Sequence, residues 1–206
     1  MRAARLIVML RRVTPRARLL DLVDDLAGAG VRLFEITFDG DDVAGDLAAV
    51  RERLMGTIGS ASTWVGAGTI RTTDQVYAAR AAGAAFGVSP VLDREILRAA
   101  LEAGLPFVPG TYSPTEIDAS WRAGATFVKL FPGSSLGPSH VREVHVPMPE
   151  IETIVTGGVD ASNAVAFLTA GATAVGIGSA MVRATHEERL ALVEAIRALD
   201  APDGGP

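Results

Sequence analysis

The chain has 206 residues, a net charge of −5 and no cysteine. This length fits one domain with a sizeable core, and the lack of cysteine excludes a disulfide framework and a thiolate metal site. The chain has no Lys/Arg-rich run, so neither a nucleic-acid partner nor an anionic membrane is indicated. The amino-terminal stretch is too short to span a membrane and has no cleavable signal pattern, so we expect a cytoplasmic protein.

Apolar runs recur along the chain and predict eight strands. They lie at 6–10, 31–37, 62–68, 84–89, 105–110, 125–131, 151–156 and 172–178. Five of these runs begin directly after an Ala-Gly pair, and a glycine just past a helix end supplies the left-handed cap. The spacing of the runs is that of one strand–helix unit.

Helical patterns separate the predicted strands. They cover about 15–28, 41–54, 72–82, 92–103, 114–123, 138–144, 161–170 and 185–199. Eight alternating strands and helices in one domain predict a parallel sheet that closes into a (β/α)8 TIM barrel over residues 1–200. We expect the last six residues, 201–206, to be disordered.

Active sites of such barrels lie at the carboxyl ends of the strands. Polar or glycine residues at those ends are Arg11, Glu35, Thr37, Asp39, Gly66, Gly68, Thr69, Ser89, Gly110, Lys129, Thr156, Gly157, Gly158, Gly176, Gly178 and Ser179. These residues are the candidates for the chemistry of the protein.

Lys129 is the only lysine among 19 basic residues. A lysine amine can lose its proton and attack a carbonyl group, whereas a guanidinium effectively cannot. Strand alternation places Lys129 on the opposite face from Val128 and Leu130, which predicts that it faces the barrel interior. Burial there lowers the pKa of an amine, as a nucleophile needs. The alternative is a structural lysine paired with a carboxylate.

Glu35 lies on an inward position of the second predicted strand, by the alternation of Leu33, Glu35 and Thr37. A carboxylate there can transfer protons as a general acid and base. The alternative is an ion pair with Arg11 or Lys129 that has no further role.

The segments TGG (156–158) and GIGS (176–179) follow the last two predicted strands, where barrels commonly bind phosphate on backbone N–H groups. They could instead form tight turns only. The three histidines, His140, His145 and His186, do not suggest a metal cluster, and no dinucleotide-binding or P-loop motif is present. We therefore expect neither a metal nor a cofactor.

The motifs EITF, GAGT, VSP, VPG, VKLFPG, LGPS, TGGV and GIGSA, in this order, resemble the 2-keto-3-deoxy-6-phosphogluconate (KDPG) aldolase family. That family includes the 6-phosphogalactonate and 4-hydroxy-2-oxoglutarate (KHG) aldolases. The resemblance covers about residues 5–185. It implies a metal-independent class I aldolase on a (β/α)8 barrel, usually a homotrimer. Such an enzyme cleaves a phosphorylated 2-keto-3-deoxy sugar acid to pyruvate and glyceraldehyde 3-phosphate.

The resemblance also implies roles for individual residues. Lys129 matches the imine-forming lysine, and Glu35 matches the carboxylate that transfers protons. Thr69 matches a threonine that contacts the pyruvate carboxylate. The phosphate-binding residues correspond to Gly157, Gly158, Gly178 and Ser179.

The chain departs from the family pattern at two places. Some members carry an arginine four residues after the glutamate, where this chain has Asp39. Others carry one at the end of the first strand, as Arg11 does, so we interpret Arg11 as the anion-binding arginine. Val155 replaces the usual proline before TGG. Asp39 leaves the choice of substrate open. The C4 stereochemistry of the substrate and its need for a phosphate group are also open.

Two other functions fit parts of the pattern. One is a phosphate-binding barrel isomerase or synthase in which Lys129 only binds an anion. The other is a non-catalytic trimeric barrel, either a degenerate relative or an engineered scaffold. The joint presence of Lys129, Glu35 and Thr69 argues against the second of these.

Overall fold

A computed structural model describes residues 1–57 and 63–199. The predicted tail at 201–206 and Ser62, the first residue of the third predicted strand, lie outside the described residues. No helix within the described ranges is long and apolar enough to cross a bilayer.

All the strand pairings are parallel, and the strands form one sheet in the order β5-β4-β3-β2-β1-β9-β8-β7-β6. The strands are β1 (Leu6–Leu10), β2 (Leu33–Thr37), β3 (Trp64–Gly68), β4 (Gly87–Val88), β5 (Phe107–Val108), β6 (Gly110–Thr111), β7 (Val128–Leu130), β8 (Thr153–Thr156) and β9 (Ala174–Ile177).

Pro109 explains why nine strands occupy the eight predicted positions. It separates β5 from β6 and has no N–H to donate to a ladder. On one side β5 pairs with β4, and on the other β6 pairs with β7. The carbonyl of Pro109 still accepts from the backbone N–H of Lys129 at 2.9 Å. The two short strands are therefore halves of one barrel strand, and the predicted (β/α)8 barrel is confirmed.

The helices alternate with these strands, with one addition. They are α1 (Arg16–Gly28), α2 (Val43–Thr57), α3 (Thr73–Ala81), α4 (Arg94–Glu102), α5 (Pro114–Arg122), α6 (Gly133–His145), α7 (Ala164–Thr169), α8 (Ser179–Arg183) and α9 (His186–Ala198). The sequence did not predict α8. It also placed the start of α6 at 138, whereas the helix begins at Gly133 and is kinked at Gly137 (φ 73°).

The Ala-Gly pairs end five helices, as the sequence predicted. The alanine caps the helix and the next glycine has a positive φ in each case: 98° at Gly30, 80° at Gly83, 65° at Gly104, 95° at Gly124 and 113° at Gly171. The chain thus turns sharply from each helix into the following strand.

The core has two layers that follow from strand alternation. Outward residues such as Val8, Phe34 and Leu130 pack between the sheet and the helices. A separate inward cluster fills the barrel near the amino-terminal ends of the strands: Ile7, Leu33, Phe86, Val88, Val108, Phe127, Ile154 and Ala174. The barrel is therefore closed by apolar side chains at that end, and its polar interior lies at the carboxyl ends.

Candidate active site

Lys129 projects into the barrel from the middle of β7. Its neighbours Val128 and Leu130 belong to the layer between sheet and helices, so alternation turns Lys129 inward. Only 7% of the residue is exposed. Its Nζ lies 5.0 Å from the centre of the Phe131 ring. The hydroxyl of Thr111 donates to the Lys129 carbonyl at 2.9 Å, which fixes the strand at this point.

Burial changes the protonation of Lys129 and Glu35 in opposite directions. Desolvation lowers the pKa of Lys129 below its ordinary value; the Glu35 carboxylate opposes this effect and the Arg11 charge adds to it. Desolvation raises the pKa of Glu35, and the charges of Lys129 and Arg11 oppose that shift. The pKa values of the two groups are thus shifted toward each other, as is common for an amine and an acid in an active site.

Glu35 occupies the third position of β2 and is 2% exposed. Its strand neighbour β3 carries glycine at the two facing positions: Gly66 pairs with Glu35, and Gly68 pairs with Thr37. Within the described residues, no hydrogen bond or ion pair fixes the Glu35 carboxylate to Lys129. The carboxylate is therefore available to a ligand bound between Glu35 and Lys129.

Arg11 and Thr69 meet at the rim of the barrel. Arg11 follows β1, and its Nη2 donates to Thr69 Oγ1 at 3.1 Å. Its Nη1 forms an ion pair with Asp39, which follows β2. Thr69 adopts a left-handed backbone conformation with φ 57°. Such strain in a threonine is typical of functional positions.

The two glycine-rich segments also lie side by side. Thr156 at the end of β8 pairs with Gly176 of β9, so TGG and GIGS leave the barrel next to each other. Gly157 and Gly158 have φ of 84° and 77°. Gly178 and Ser179 lead into α8. The predicted phosphate-binding residues are thus adjacent in space.

The family profile of the KDPG and KHG aldolases matches residues 1–196. The chain belongs to this family. It is therefore an aldolase, a carbon–carbon lyase. It is 30% identical over 199 residues to the 2-dehydro-3-deoxy-6-phosphogalactonate aldolase of Escherichia coli K12, covering 93% of this chain and 94% of that one.

Solved aldolase structures have the same fold. The native KDPGal structure superposes with a TM-score of 0.84 at 28% identity, covering 96% of each chain. The KDPG aldolase of Legionella pneumophila superposes with a TM-score of 0.79 at 25% identity, covering 95% of this chain and 94% of that one. In that structure pyruvate is captured at low pH as a covalent carbinolamine intermediate.

This KDPG/KHG-family aldolase has further polar groups in the site that the sequence reasoning did not assign a role. The hydroxyls of Thr37 and Thr156 are buried without a hydrogen-bond partner in the described part of the chain. Both face inward by alternation, with Glu35 and Ile154 respectively. Unpaired buried hydroxyls of this kind suit a polar ligand. Alternation along β2 already placed Thr37 beside Glu35, and alternation along β8 would have been the signal for Thr156.

Ser134 was also missed. Its N–H donates to the carbonyl of Gly157 at 2.9 Å, and a Cβ on Gly158 would lie 2.5 Å from the Ser134 Cβ. The start of α6 therefore packs directly on the TGG turn of the aldolase. The contact was not predicted because the sequence pattern placed the start of α6 four residues after Ser134.

Two of the three histidines have contacts outside the site. His145 Nε2 lies 3.2 Å from Thr153 Oγ1, and His186 Nδ1 lies 2.7 Å from Asp25 Oδ1. Over residues 1–57 and 63–199, no three His, Cys, Asp or Glu side chains are grouped as metal ligands would be.

Proposed function

We propose that this enzyme is a class I aldolase that forms an imine between Lys129 and a 2-keto acid. The substrate we propose is a 2-keto-3-deoxy-6-phospho sugar acid, cleaved to pyruvate and glyceraldehyde 3-phosphate. The observation that carries the proposal is the burial of the chain's only lysine at the open end of the barrel, beside a buried carboxylate.

The reaction begins at the amine. Neutral Lys129 attacks the C2 ketone to give a carbinolamine, and loss of water gives the protonated imine. The lowered pKa of Lys129 makes the neutral amine available. The carbinolamine of pyruvate in the Legionella pneumophila enzyme supports this step.

Carbon–carbon cleavage then needs a base. Glu35 removes the proton of the C4 hydroxyl, the C3–C4 bond breaks, and its electron pair moves into the imine to give an enamine and an aldehyde. Glu35 returns the proton to C3, and water hydrolyses the resulting imine to pyruvate and free Lys129. The raised pKa of Glu35 suits a group that both accepts and donates a proton.

The two anionic ends of the substrate have separate partners in this proposal. Arg11 and Thr69 hold the carboxylate of the keto acid near Lys129. The phosphate binds at the ends of β8 and β9, to the backbone of Gly157, Gly158 and Gly178 and to Ser179. We extend the proposal to 4-hydroxy-2-oxoglutarate, which has the same pyruvyl end.

A non-catalytic barrel or a phosphate-binding isomerase or synthase fits the site less well. Neither function needs a buried amine of lowered pKa, because an exposed lysine or an arginine binds an anion at a smaller desolvation cost. Burial of Lys129 together with Glu35 therefore favours the aldolase with imine chemistry.

Borohydride trapping tests the proposal. Intact mass analysis after pyruvate and borohydride treatment is expected to show one adduct, and peptide mapping is expected to place it on Lys129. The amino terminus is the other amine of the chain, and partial burial lowers the pKa of Met1 as well. Lys129→Arg therefore serves as the control. A full-strength adduct in that variant would contradict the imine mechanism.

We also propose that the aldolase is a cytoplasmic homotrimer. The family resemblance supports the trimer, and the fold shared with a designed protein cage made by fusing symmetric oligomeric domains supports a symmetric oligomer. A phosphorylated substrate supports the location, since sugar phosphates are retained inside cells. Native mass spectrometry is expected to give three copies per particle, and a monomer would contradict this part of the proposal.

A further inference from the structure

Asp39 lies at the rim of the barrel, on the segment that follows β2. It forms an ion pair with Nη1 of Arg11, the residue that follows β1. The same arginine reaches across to Thr69 after β3, with Nη2 3.1 Å from the threonine hydroxyl. Arg11 therefore spans the ends of three neighbouring strands, β1, β2 and β3, of which β2 carries Glu35.

An arginine in this position needs an anchor. The Arg11 side chain is 55% exposed, and an exposed arginine loses much rotamer freedom when it is held in one orientation. The Thr69 hydroxyl alone offers one hydrogen bond between the guanidinium and a neutral acceptor. The carboxylate of Asp39 adds a bond in which both donor and acceptor are charged.

Asp39 is itself held in place. Nε of Arg12 donates to the Asp39 carbonyl at 2.8 Å and lies 3.6 Å from its Oδ2. Desolvation alone would raise the pKa of Asp39, but its interactions with Arg11 and Arg12 hold it below its usual value. The carboxylate is thus a fixed anion at neutral pH.

We propose that Asp39 is a positioning residue that orients Arg11 toward the carboxylate of the keto acid bound at Lys129. The inference rests on the proposed function. The two arginines and the one carboxylate of the rim leave a single net positive charge, which matches the single negative charge of a keto-acid carboxylate. Asp39 then contributes to substrate binding without touching the substrate.

Two substitutions separate orientation from charge. Asp39→Ala removes both the anchor and the negative charge, whereas Asp39→Asn removes the charge and keeps a hydrogen-bond acceptor. Asp42→Ala is the matched control, because Asp42 lies on the same segment and pairs with Arg16 at 2.7 Å. The readout is the pyruvate concentration that gives half-maximal borohydride adduct, with thermal unfolding measured alongside.

For Asp39→Ala, we expect the half-saturating pyruvate concentration to rise about tenfold, the scale of one weakened charged hydrogen bond. Asp39→Asn is expected to stay within about threefold of the wild type on the same scale, and Asp42→Ala to bind like the wild type. Equal pyruvate binding by Asp39→Ala would overturn the inference, because Asp39 would then not affect binding. Tighter binding would also overturn it, because Asp39 would then only repel the substrate. Absence of any adduct in the wild type would instead contradict the proposed function, and the inference with it.

Discussion

The carboxylate of Glu35 fills the space that a side chain at position 68 would need. A Cβ on Gly68 would lie 2.6 Å from the Cγ of Glu35 and closer still to its Oε1. Parallel pairing of β2 with β3 brings the two residues together. The second glycine of GAGT is therefore the reason that the acid can lie flat against β3 inside the barrel.

Gly68→Ala is expected to displace the Glu35 carboxylate and to lower turnover by about 100-fold or more, the usual scale for lost acid–base catalysis. Steady-state cleavage of the phosphorylated substrate measures this, and pyruvate trapping on Lys129 should survive better than turnover does. Gly56→Ala is the control, since a Cβ there meets no atom of the described residues within 4 Å. Near-normal turnover in Gly68→Ala would mean that Glu35 tolerates another position.

The pH dependence of trapping reports the electrostatic coupling of Lys129. The negative charge of Glu35 raises the pKa of Lys129, and the positive charge of Arg11 lowers it. Glu35→Gln is therefore expected to move the midpoint of the trapping rate to lower pH, and Arg11→Ala to higher pH. Trapping at saturating pyruvate over a pH series measures both midpoints. Shifts in the same direction for the two variants would contradict the arrangement of charges.

Glu35→Gln has a second expected effect. If Glu35 transfers protons, the turnover of the variant should fall by about 100-fold or more. This fall is expected even though the Lys129 amine loses its proton more readily in the variant. A variant with faster trapping and slower turnover would separate the two roles. Unchanged turnover would leave Glu35 a purely structural role.

The two anion sites can be distinguished with two substrates. Ser179→Asp is expected to raise KM for the phosphorylated substrate and to leave an unphosphorylated 2-keto acid nearly unaffected, because that substrate has no group at the phosphate end. Arg11→Ala is expected to weaken both, by about 1.5–3 kcal/mol for a lost charged hydrogen bond. If Arg11→Ala harmed only the phosphorylated substrate, Arg11 would belong to the phosphate site.

The alternation of strands and helices, and the inward positions of Lys129 and Glu35, could be predicted from local sequence. The Ala-Gly pairs mark where helices end, and alternation around Lys129 and Glu35 gives the inward face. These signals are local, since they depend on backbone geometry within a few residues.

Features that depend on distant contacts could not be predicted. The pairing of Arg11 with Asp39 requires the two strand ends to be neighbours at a particular stagger. The helix α8 has five residues, too few for a helical periodicity to appear. Asp39 was therefore an unexplained departure in the sequence pattern, and its partner Arg11 is identified only by the structure.

Arg189 of α9 connects α8 to α1. The residue is buried, and its Nε and Nη2 donate to the carbonyls of Met181 and Val182, both at 3.0 Å. Its Nη1 forms an ion pair with Asp25, which also contacts His186. The last carbonyls of a helix lack partners within it, and a cation there also offsets the helix dipole. A five-residue helix with few bonds of its own therefore depends on this arginine.

Arg189→Met is expected to lower the free energy of unfolding by about 3 kcal/mol, the lower end for breaking a buried ion pair, because Asp25 is partly exposed. For a chain of this size the melting temperature should fall by roughly 9 °C. Thermal and urea unfolding measure the change. Arg53→Met is the matched control: its exposed ion pair with Asp24, the neighbour of Asp25, should contribute less than about 1 kcal/mol. Equal losses in the two variants would mean that α8 does not depend on Arg189.

At temperatures where the Arg189→Met variant stays folded, a higher KM for the phosphorylated substrate alone is expected, since Ser179 begins the helix that Arg189 secures.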